Sequence, residues 1–456
     1  MANTDIAIVV AGSADSGKSS MIGVLTSGEL DNGNGLARAK IARHPHEIKS
    51  GKTSSIATKS ITYNNKTVSL IDLCGQEKYL KTTTYGITGH FPDYAFVIIA
   101  ANRGVLPMTK EHMGILFYMQ IPMIILITRI DIAPDHIYQN TIKTIKAICK
   151  AFIKTPVFIN SNAEVSYDND KYNDKLNADN IIMHDIVRKL KTTADIIPII
   201  TISNKTGYYF DIVRNSLPLF EPRRLWTTTN MSETVFYIDS VFNPTGVGVV
   251  ISGIVKGKTI KSGDTLYLGP YANIFIPVRI RSLHNNCKQP VTELSDHQRG
   301  CLAIASTDKK QDIHRSMIAH GMCAVWPHDI TNNICYRFVS EIEILHHSST
   351  IKQKYSPVIH MGPIRQSARI TSIEKIISRK MVESNDNDDM TLRTGDKAAV
   401  TFKFMYRPEF VETGMVFFFR EGRTRGCGKV ISTIPIQHDN DPKPDNFKIK
   451  TRNKQT

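Results

Sequence analysis

A chain of 456 residues has room for two to four domains, and 41% hydrophobic with 22% charged residues is the composition of an ordinary folded protein, which excludes global disorder. Its longest apolar runs, such as "IPMIILI" before Thr128, fall far short of the roughly 18 residues that a membrane span requires, so a soluble chain with no membrane partner is expected. A formal charge of +15 favours a polyanionic partner, because clustered Lys and Arg displace counterions from phosphates; the plainer alternative is a charge excess that only aids solubility.

The first residues, "MANTDIAIVVAGSADSGKSS", lack a basic leader and run into glycine and lysine rather than a small-residue cleavage site, so no export signal is read. Seven cysteines are scattered without a Cys-x-x-Cys pair, which is the usage of a cytoplasmic protein with free thiols. Up to about residue 220, apolar runs ("DIAIVVAG", "VSLIDLCG", "DYAFVIIAAN", "IPMIILITRID", "DIIPIITISN") alternate with longer amphipathic stretches. That alternation is expected of buried parallel strands joined by helices, an α/β domain over residues 1–222. Residues 160–180 are polar enough to read as an insertion loop within it.

Beyond "LFEPRRLW" the helical period fades, and short Val, Ile, Thr and Phe runs are broken by Gly, Asn, Pro and Asp. Two all-β barrel domains are expected, over 223–328 and 329–436, the second starting with "CYRFVSEIEILHHSS". Residues 437–456 read as a disordered basic tail.

Chemistry concentrates in the first domain. Gly12-Ser13-Ala14-Asp15-Ser16-Gly17-Lys18-Ser19 matches the phosphate-loop pattern, follows an apolar run and precedes a helix-like segment. The glycines permit tight backbone geometry around phosphate oxygens, and the helix N-terminus favours anions. Gly12 through Ser19, with Ser20, are the expected nucleotide contacts; Lys18 neutralises the β- and γ-phosphates and Ser19 is a Mg²⁺ ligand. Asp72, at the end of a second apolar run, is a metal-side acid, and Gly75 lets a backbone N–H approach the γ-phosphate; alone, this pair would be a strand end and a turn. Thr53, in "SGKTSS", is the hydroxyl expected to meet Mg²⁺ from a loop that orders with the triphosphate.

Base choice rests on "ITRID". A carboxylate at Asp131 accepts the two N–H donors on the guanine edge and finds no such pair on adenine, so GTP and GDP are the expected nucleotides. The alternative for Asp131 is a cap on the following helix. Thr128, Arg129, Ser203, Asn204 and Lys205 complete the expected base and loop contacts. Gln76, directly after Gly75, is placed to hold the attacking water, as a glutamine does in Ras-type GTPases; otherwise it is a solvated first-turn residue. Lys18, Thr53 and Gln76 are the expected catalytic set.

Together these elements resemble the translational GTPases, the group that contains elongation factor Tu. "PTGVGVVISGIVKGKTIKSGDTLYLGP" looks like their second-domain barrel. A narrower likeness is to the eukaryotic GTP-binding protein 1 and 2 family, carried by "LTSGELDNGNGLARAKIARHPHEIKSGKTSS", "GQEKYLKTTTYGITGHFPDYAF", "EILHHSSTI", "GPIRQSARI", "LRTGDKAAVTFKF" and "FFFREGRTRGCG". The resemblance implies a P-loop GTPase domain followed by two β-barrels, GTP hydrolysis linked to translation, and contact with the ribosome, aminoacyl-tRNA or RNA-decay machinery; a monomer is expected. The long N-terminal extension of animal members is not matched, and functions that depend on it are not carried over.

Several positions depart from the group. Gln76 stands where translational GTPases carry histidine. Ala14 and Lys52 stand where elongation factor Tu has the residues that gate the water, which implies a looser gate. Arg129 replaces the lysine that packs along the base, keeping charge but changing shape. Asp15 matches the loop acid that helps hold a monovalent cation. Arg365, Arg369, Arg420, Arg423 and Arg425 are the candidate RNA contacts, the alternative being a face that is merely solvated or bound to another domain. Two other classes compete: a GTP-gated RNA-decay adaptor with little hydrolysis, and the GTPase subunit of a sulfate-activating enzyme, which lacks the narrower signatures.

Overall fold

The apolar run that opens the chain becomes β1 (Thr4–Gly12), buried from Asp5 onward because it lies inside a seven-stranded sheet. A strand covered on both faces has no reason to alternate, which is why it reads as one continuous hydrophobic run. It is joined by β2 (Ala57–Tyr63), β3 (Lys66–Asp72), β4 (Tyr94–Ala100), β5 (Met123–Thr128), β6 (Thr155–Phe158) and β7 (Ile196–Thr201), in the order β2-β3-β1-β4-β5-β7-β6. All pairings are parallel except the β2–β3 hairpin. The helices of this sheet are α1 (Lys18–Ser27), α2 (Leu36–Ala39), α3 (Leu80–Gly89), α4 (Pro107–Tyr118), α5 (Asp135–Ala151), α6 (Asn169–Leu190) and α7 (Phe210–Ser216). Parallel strands bring their carboxyl ends to one edge, and the loops after β1, β3, β5 and β7 therefore gather the sequence motifs there.

The computed structural model describes residues 4–42, 47, 53–160, 169–223, 234–271, 274–308, 312–319, 321–326, 333–378, 391–422 and 424–436. The chain divides into two units, Met1–Thr227 and Thr228–Thr456. The end of the first unit is pinned to its sheet: Lys66 Nζ donates to the carbonyls of Pro218 and Phe220 at 2.7 and 2.6 Å, and the Phe220 ring packs on Tyr94.

One expectation is corrected here. Residues 169–180 are not loop but the first turns of α6, while 161–168 lie outside the described residues. The polar sequence hides the helix because its anchors are sparse. Tyr172 and Leu176 pack on the core, Met183, Ile186, Val187 and Leu190 are buried at helical spacing, and Asp179 accepts a hydrogen bond from the Tyr209 hydroxyl at 3.0 Å.

The second unit holds two closed barrels. In the first, β8 (Val235–Phe242), β9 (Val250–Lys256), β11 (Thr265–Tyr271), β12 (Ile274–Asn285), β15 (Arg299–Ser306) and β16 (Cys323–Val325) form an antiparallel ring of six, closed by β11 against β12. The short strands β10 (Ile260–Lys261) and β14 (Glu293–Leu294) pair with each other, and β13 (Pro290–Val291) extends the ring's last strand. In the second, β17 (Ile334–His346), β18 (Val358–Met361), β19 (Ile364–Ser378), β20 (Lys397–Phe404), β22 (Val416–Glu421) and β23 (Thr424–Pro435) close through β17 against β20, with β21 (Glu409–Phe410) on β17. Closure leaves no free sheet edge in either ring.

The "GCG" of β23 has a steric reason: a Cβ at Gly426 or Gly428 would fall within 2.0 Å of the Phe419 ring or 2.5 Å of the Phe417 ring. Within this unit Glu412 also bridges the barrels, accepting from Lys256 Nζ at 2.6 Å and from the Tyr237 hydroxyl. All seven cysteines are unpaired thiols. Among the described residues no helix is long and apolar enough to cross a membrane.

Candidate functional site

β1 ends at Gly12, and the chain turns through Ser13 to Ser16 into the ten-residue α1. Gly12, Asp15 and Gly17 all have positive φ, at 138°, 59° and 93°, and a Cβ at Gly12 would meet the Ile98 carbonyl oxygen at 2.3 Å. This tight loop running into a helix N-terminus is the backbone form that cradles phosphate oxygens. Lys18 reaches back across it, its buried ammonium donating to the Ser13 carbonyl at 2.7 Å, and the Ser16 hydroxyl donates to the same carbonyl at 2.9 Å.

Three oxygens converge beside Lys18. Asp72 Oδ2 accepts from Ser19 Oγ at 2.6 Å and from Thr53 Oγ1 at 3.4 Å, and the two hydroxyls are 3.1 Å apart. Asp72 Oδ1 is buried with no hydrogen-bond partner among the described residues. Burial pushes the Asp72 carboxyl up, opposed by Lys18 and the two hydroxyls; burial pulls Lys18 down, opposed chiefly by Asp72. A polyphosphate would supply the counter-charge Lys18 lacks, and a divalent cation the one Asp72 lacks. Hard oxygen donors, few in number and leaving room for phosphate and water, fit Mg²⁺. Among the described residues no cluster of three His, Cys, Asp or Glu side chains offers a softer metal site.

Gly75 lies against the phosphate loop, its carbonyl accepting from the Ala14 N–H at 3.0 Å. A Cβ there would meet Ala14 N at 2.5 Å and Lys18 Nζ at 2.6 Å, so no other residue allows this approach. Gln76 is extended, makes no capping bond to the following turn, and lines the phosphate cavity with Ala14, Lys18, Ser19, Ser20 and Thr53. Asp15 lines it too, with Arg103 3.7 Å from its carboxylate. Lys52, the other gate position, lies outside the described residues.

The residues expected at the base come together from two strand ends. Thr128 closes β5, and its hydroxyl ties that strand to the phosphate loop by donating to the Ser16 carbonyl at 2.7 Å. Arg129 follows in the left-handed region, φ 61°, and borders the same cavity. Asp131 does not cap α5, whose N-cap is Pro134; its exposed carboxylate accepts from Ser203 Oγ at 2.8 Å. Ser203 Oγ in turn accepts the Lys205 N–H at 3.2 Å, and Asn204 Nδ2 donates to the Gly17 carbonyl at 3.4 Å. Thus Asp131, Ser203, Asn204 and Lys205 meet from residues some 70 apart in sequence, as the separation of 72 between Asp131 and Ser203 shows.

Sequence reasoning missed three side chains. Behind the loop, His112 Nδ1 accepts the Gly12 N–H at 3.1 Å and Thr109 Oγ1 accepts the Ser13 N–H at 3.3 Å, both from α4. Arg38, on α2, borders the phosphate cavity. Its helix lies directly on α1, since a Cβ at Gly23 would meet the Ala37 carbonyl oxygen at 2.1 Å, and Asp31 N–H donates to the Asn204 carbonyl at 2.9 Å. No motif marks these positions; the signal is contact made by folding.

By register, four of the five candidate RNA-contacting arginines fall on one outer face of the second barrel, because Arg420 stands opposite Val358 on β18 and Val358 opposite Ser367, the residue midway between Arg365 and Arg369 on β19. Arg420 and Arg425 are cross-strand partners on β22 and β23, while Arg365 and Arg369 are exposed on β19; Arg423 lies outside the described residues.

The family described as "Elongation factor Tu GTP binding domain" matches residues 3–243. The chain is 33% identical to GTP-binding protein 1 of Xenopus laevis over 99% of its own length and 67% of that protein. It is 30% identical to GTP-binding protein 2 of Homo sapiens, over 95% of its length and 70% of that protein. Its fold resembles the crystal structure of translation elongation factor SelB from Methanococcus maripaludis in complex with the GTP analogue GppNHp, with a TM-score of 0.64 and 21% identity over 96% of this chain and 81% of that one. A P-loop α/β unit followed by two six-stranded barrels defines a GTP-binding hydrolase of the translation-factor class. The chain belongs to the elongation factor Tu family of GTPases, and the resemblance read from its motifs to GTP-binding proteins 1 and 2 holds across nearly its whole length.

Proposed function

We propose that this GTPase hydrolyses GTP to GDP and phosphate with Mg²⁺ and, in the cytoplasm, carries or positions an RNA ligand such as aminoacyl-tRNA on the ribosome. The observation that carries the reading is the convergence of Ser19, Thr53 and Asp72 beside Lys18, with Gln76 lining the same cavity. Mg²⁺, when bound, offsets charge on the β- and γ-phosphates. Gly12 to Ser20 would wrap those phosphates, Lys18 would donate to them, and Ser19, Thr53 and Asp72 are the residues that would hold the metal. Gln76 holds the attacking water by accepting and donating through its amide. Asp131 accepts the two guanine N–H groups, Ser203, Asn204 and Lys205 border the base, and Arg129 lies along it. Arg38 adds positive charge at the cavity's rim. A monovalent cation beside Asp15 would share that carboxylate with Arg103, 3.7 Å away.

The test is GTP turnover by the full chain with and without ribosomes, alongside Gln76→Ala. Ribosome stimulation lost in the variant, on the order of 100-fold, supports the reading. A wild-type protein that binds GTP but is not stimulated sinks it. That outcome favours the second reading, an RNA-decay adaptor gated by GTP, which the small Ala14 side chain at the phosphate cavity supports by leaving the water position less enclosed.

A further inference from the structure

The phosphate cavity of the first unit carries charges of both signs. Lys18, Arg38 and Arg129 face it and favour a polyanion, while Asp15 is the one acid among its described lining residues. A carboxylate beside a triphosphate repels it, and more so where the ligand displaces water. Lys18, the loop's own cation, is turned to the Ser13 carbonyl at 2.7 Å and feels Asp72 more strongly than Asp15. Asp15 therefore needs a counter-charge from outside the loop.

The neighbouring strand provides one. β4 lies beside β1 in parallel, with Gly12 opposite Ile98, so the turn that follows Ala100 emerges next to the phosphate loop. That turn is closed: the Arg103 and Gly104 N–H groups both donate to the Ala100 carbonyl at 3.0 Å, Gly104 takes φ 73°, and the Ala101 N–H donates to the Thr128 carbonyl at 2.8 Å. Arg103 Nη1 is set 3.7 Å from Asp15 Oδ2, and among the described residues that carboxylate is the only side-chain partner of Arg103. The distance exceeds the roughly 2.8 Å of a charge-assisted hydrogen bond, so the pair is held by charge and not by a locked fork. Both groups are exposed, and such a pair adds little to stability. Its value lies beside a bound nucleotide.

We propose that Arg103 is a positioning residue for GTP: its guanidinium neutralises Asp15 in the place a monovalent cation would take, so that nucleotide binding and turnover need no K⁺ or Na⁺. The inference rests on the reading of this cavity as a GTP site and names what its acid requires. A bare Asp15 would have to draw a small cation from solution before a triphosphate could lie beside it. Arg103 supplies the same charge from a fixed turn, stays protonated at any pH the protein meets, and is not diluted away when the salt changes. It acts through Asp15 and not on the phosphates, since it is not among the described residues that line their cavity.

The experiment measures displacement of a fluorescent GDP analogue by GppNHp from the full chain with Mg²⁺, in KCl and in N-methyl-D-glucamine chloride at equal ionic strength, and follows GTP turnover in the same two salts. The organic cation is too large to sit against a carboxylate in the loop, and equal ionic strength keeps screening the same. Wild-type affinity and turnover are expected to agree within about twofold between the salts, because the fixed charge is present in both. In Arg103→Ala, GppNHp affinity should fall roughly tenfold in the organic salt and recover to within about threefold of wild type in KCl, where a small cation reaches the bare carboxylate. The Asp15→Asn, Arg103→Ala double variant should lose that difference between salts, since no carboxylate remains to hold a cation. A wild type that loses more than about fivefold in affinity without K⁺ overturns the inference. So does an Arg103→Ala variant weakened equally in both salts, the mark of a merely structural contact, or a double variant that still responds to K⁺. A wild type that binds no guanine nucleotide in either salt overturns the GTP reading itself.

Discussion

His112, behind the phosphate loop of the first unit, and Glu409, at the foot of the second barrel, are both fully buried titratable groups, and their surroundings push them to the same uncharged end in opposite directions. Burial, with Lys18 adding to it, pulls His112 down to about 3; Gly12 donates to Nδ1, so the ring is neutral with its proton on Nε2. Burial pushes Glu409 up to about 7, with Arg407 and Gln366 opposing. A neutral His112 leaves Lys18 as the charge presented to a phosphate. At Glu409, by contrast, burial favours the protonated acid while the Arg407 charge beside it favours the carboxylate, and burial is the larger effect. The first unit organises charge around one loop; the second organises it between separate segments.

The largest expected effects lie in how the two units respond to pH. Folding lowers the His112 pKa from 6.5 to about 3, so its contribution is full above pH 6.5 and is lost as pH falls toward 3, about 5 kcal/mol in all. Folding raises the Glu409 pKa from 4.5 to about 7, so its contribution is full below pH 4.5 and is lost as pH rises to 7, about 3 kcal/mol. Hydrogen exchange resolved by unit should show opposite slopes, the first flattened by His112→Gln and the second by Glu409→Gln. Two units that weaken in the same direction would break the comparison.

A smaller effect should follow from Glu412→Ala. It strips Lys256 and the Tyr237 hydroxyl of their shared acceptor and should cost the second unit about 1–3 kcal/mol, while nucleotide affinity is unchanged. Chemical denaturation monitored beside GDP binding would show it; a loss of nucleotide affinity would mean the two units are not separable in this way. The smallest effect belongs to Arg38→Ala, expected to lower GTP turnover roughly tenfold while leaving the melting temperature within a degree or so, because Arg38 borders the cavity but its helix is held by Ala37 on Gly23. Turnover equal to wild type would remove Arg38 from the site.

Much of the first unit was legible because phosphate chemistry is local. Gly12, Gly17, Lys18 and Ser19 must follow one another for a loop to wrap a phosphate, and Asp72-x-x-Gly75 must end a strand for Gly75 to lie against Ala14. Asp131 and Ser203 were legible as strand-end residues, but their 2.8 Å hydrogen bond was not. The helix over 169–180 was misread because Tyr172, Leu176 and Asp179 acquire meaning only against Tyr209 and the core. Arg38, Thr109 and His112 stand in no recurring spacing at all.

Sequence alone determined that a P-loop α/β unit comes first and that barrels follow it, because periodic burial and backbone turns are written in neighbouring residues. Only the tertiary structure decided which side chains brace the phosphate loop and which polar groups pair. Those depend on contacts such as Gly12 with His112 and Gln366 with Glu409, 100 and 43 residues apart, and no local pattern encodes a partner at that distance.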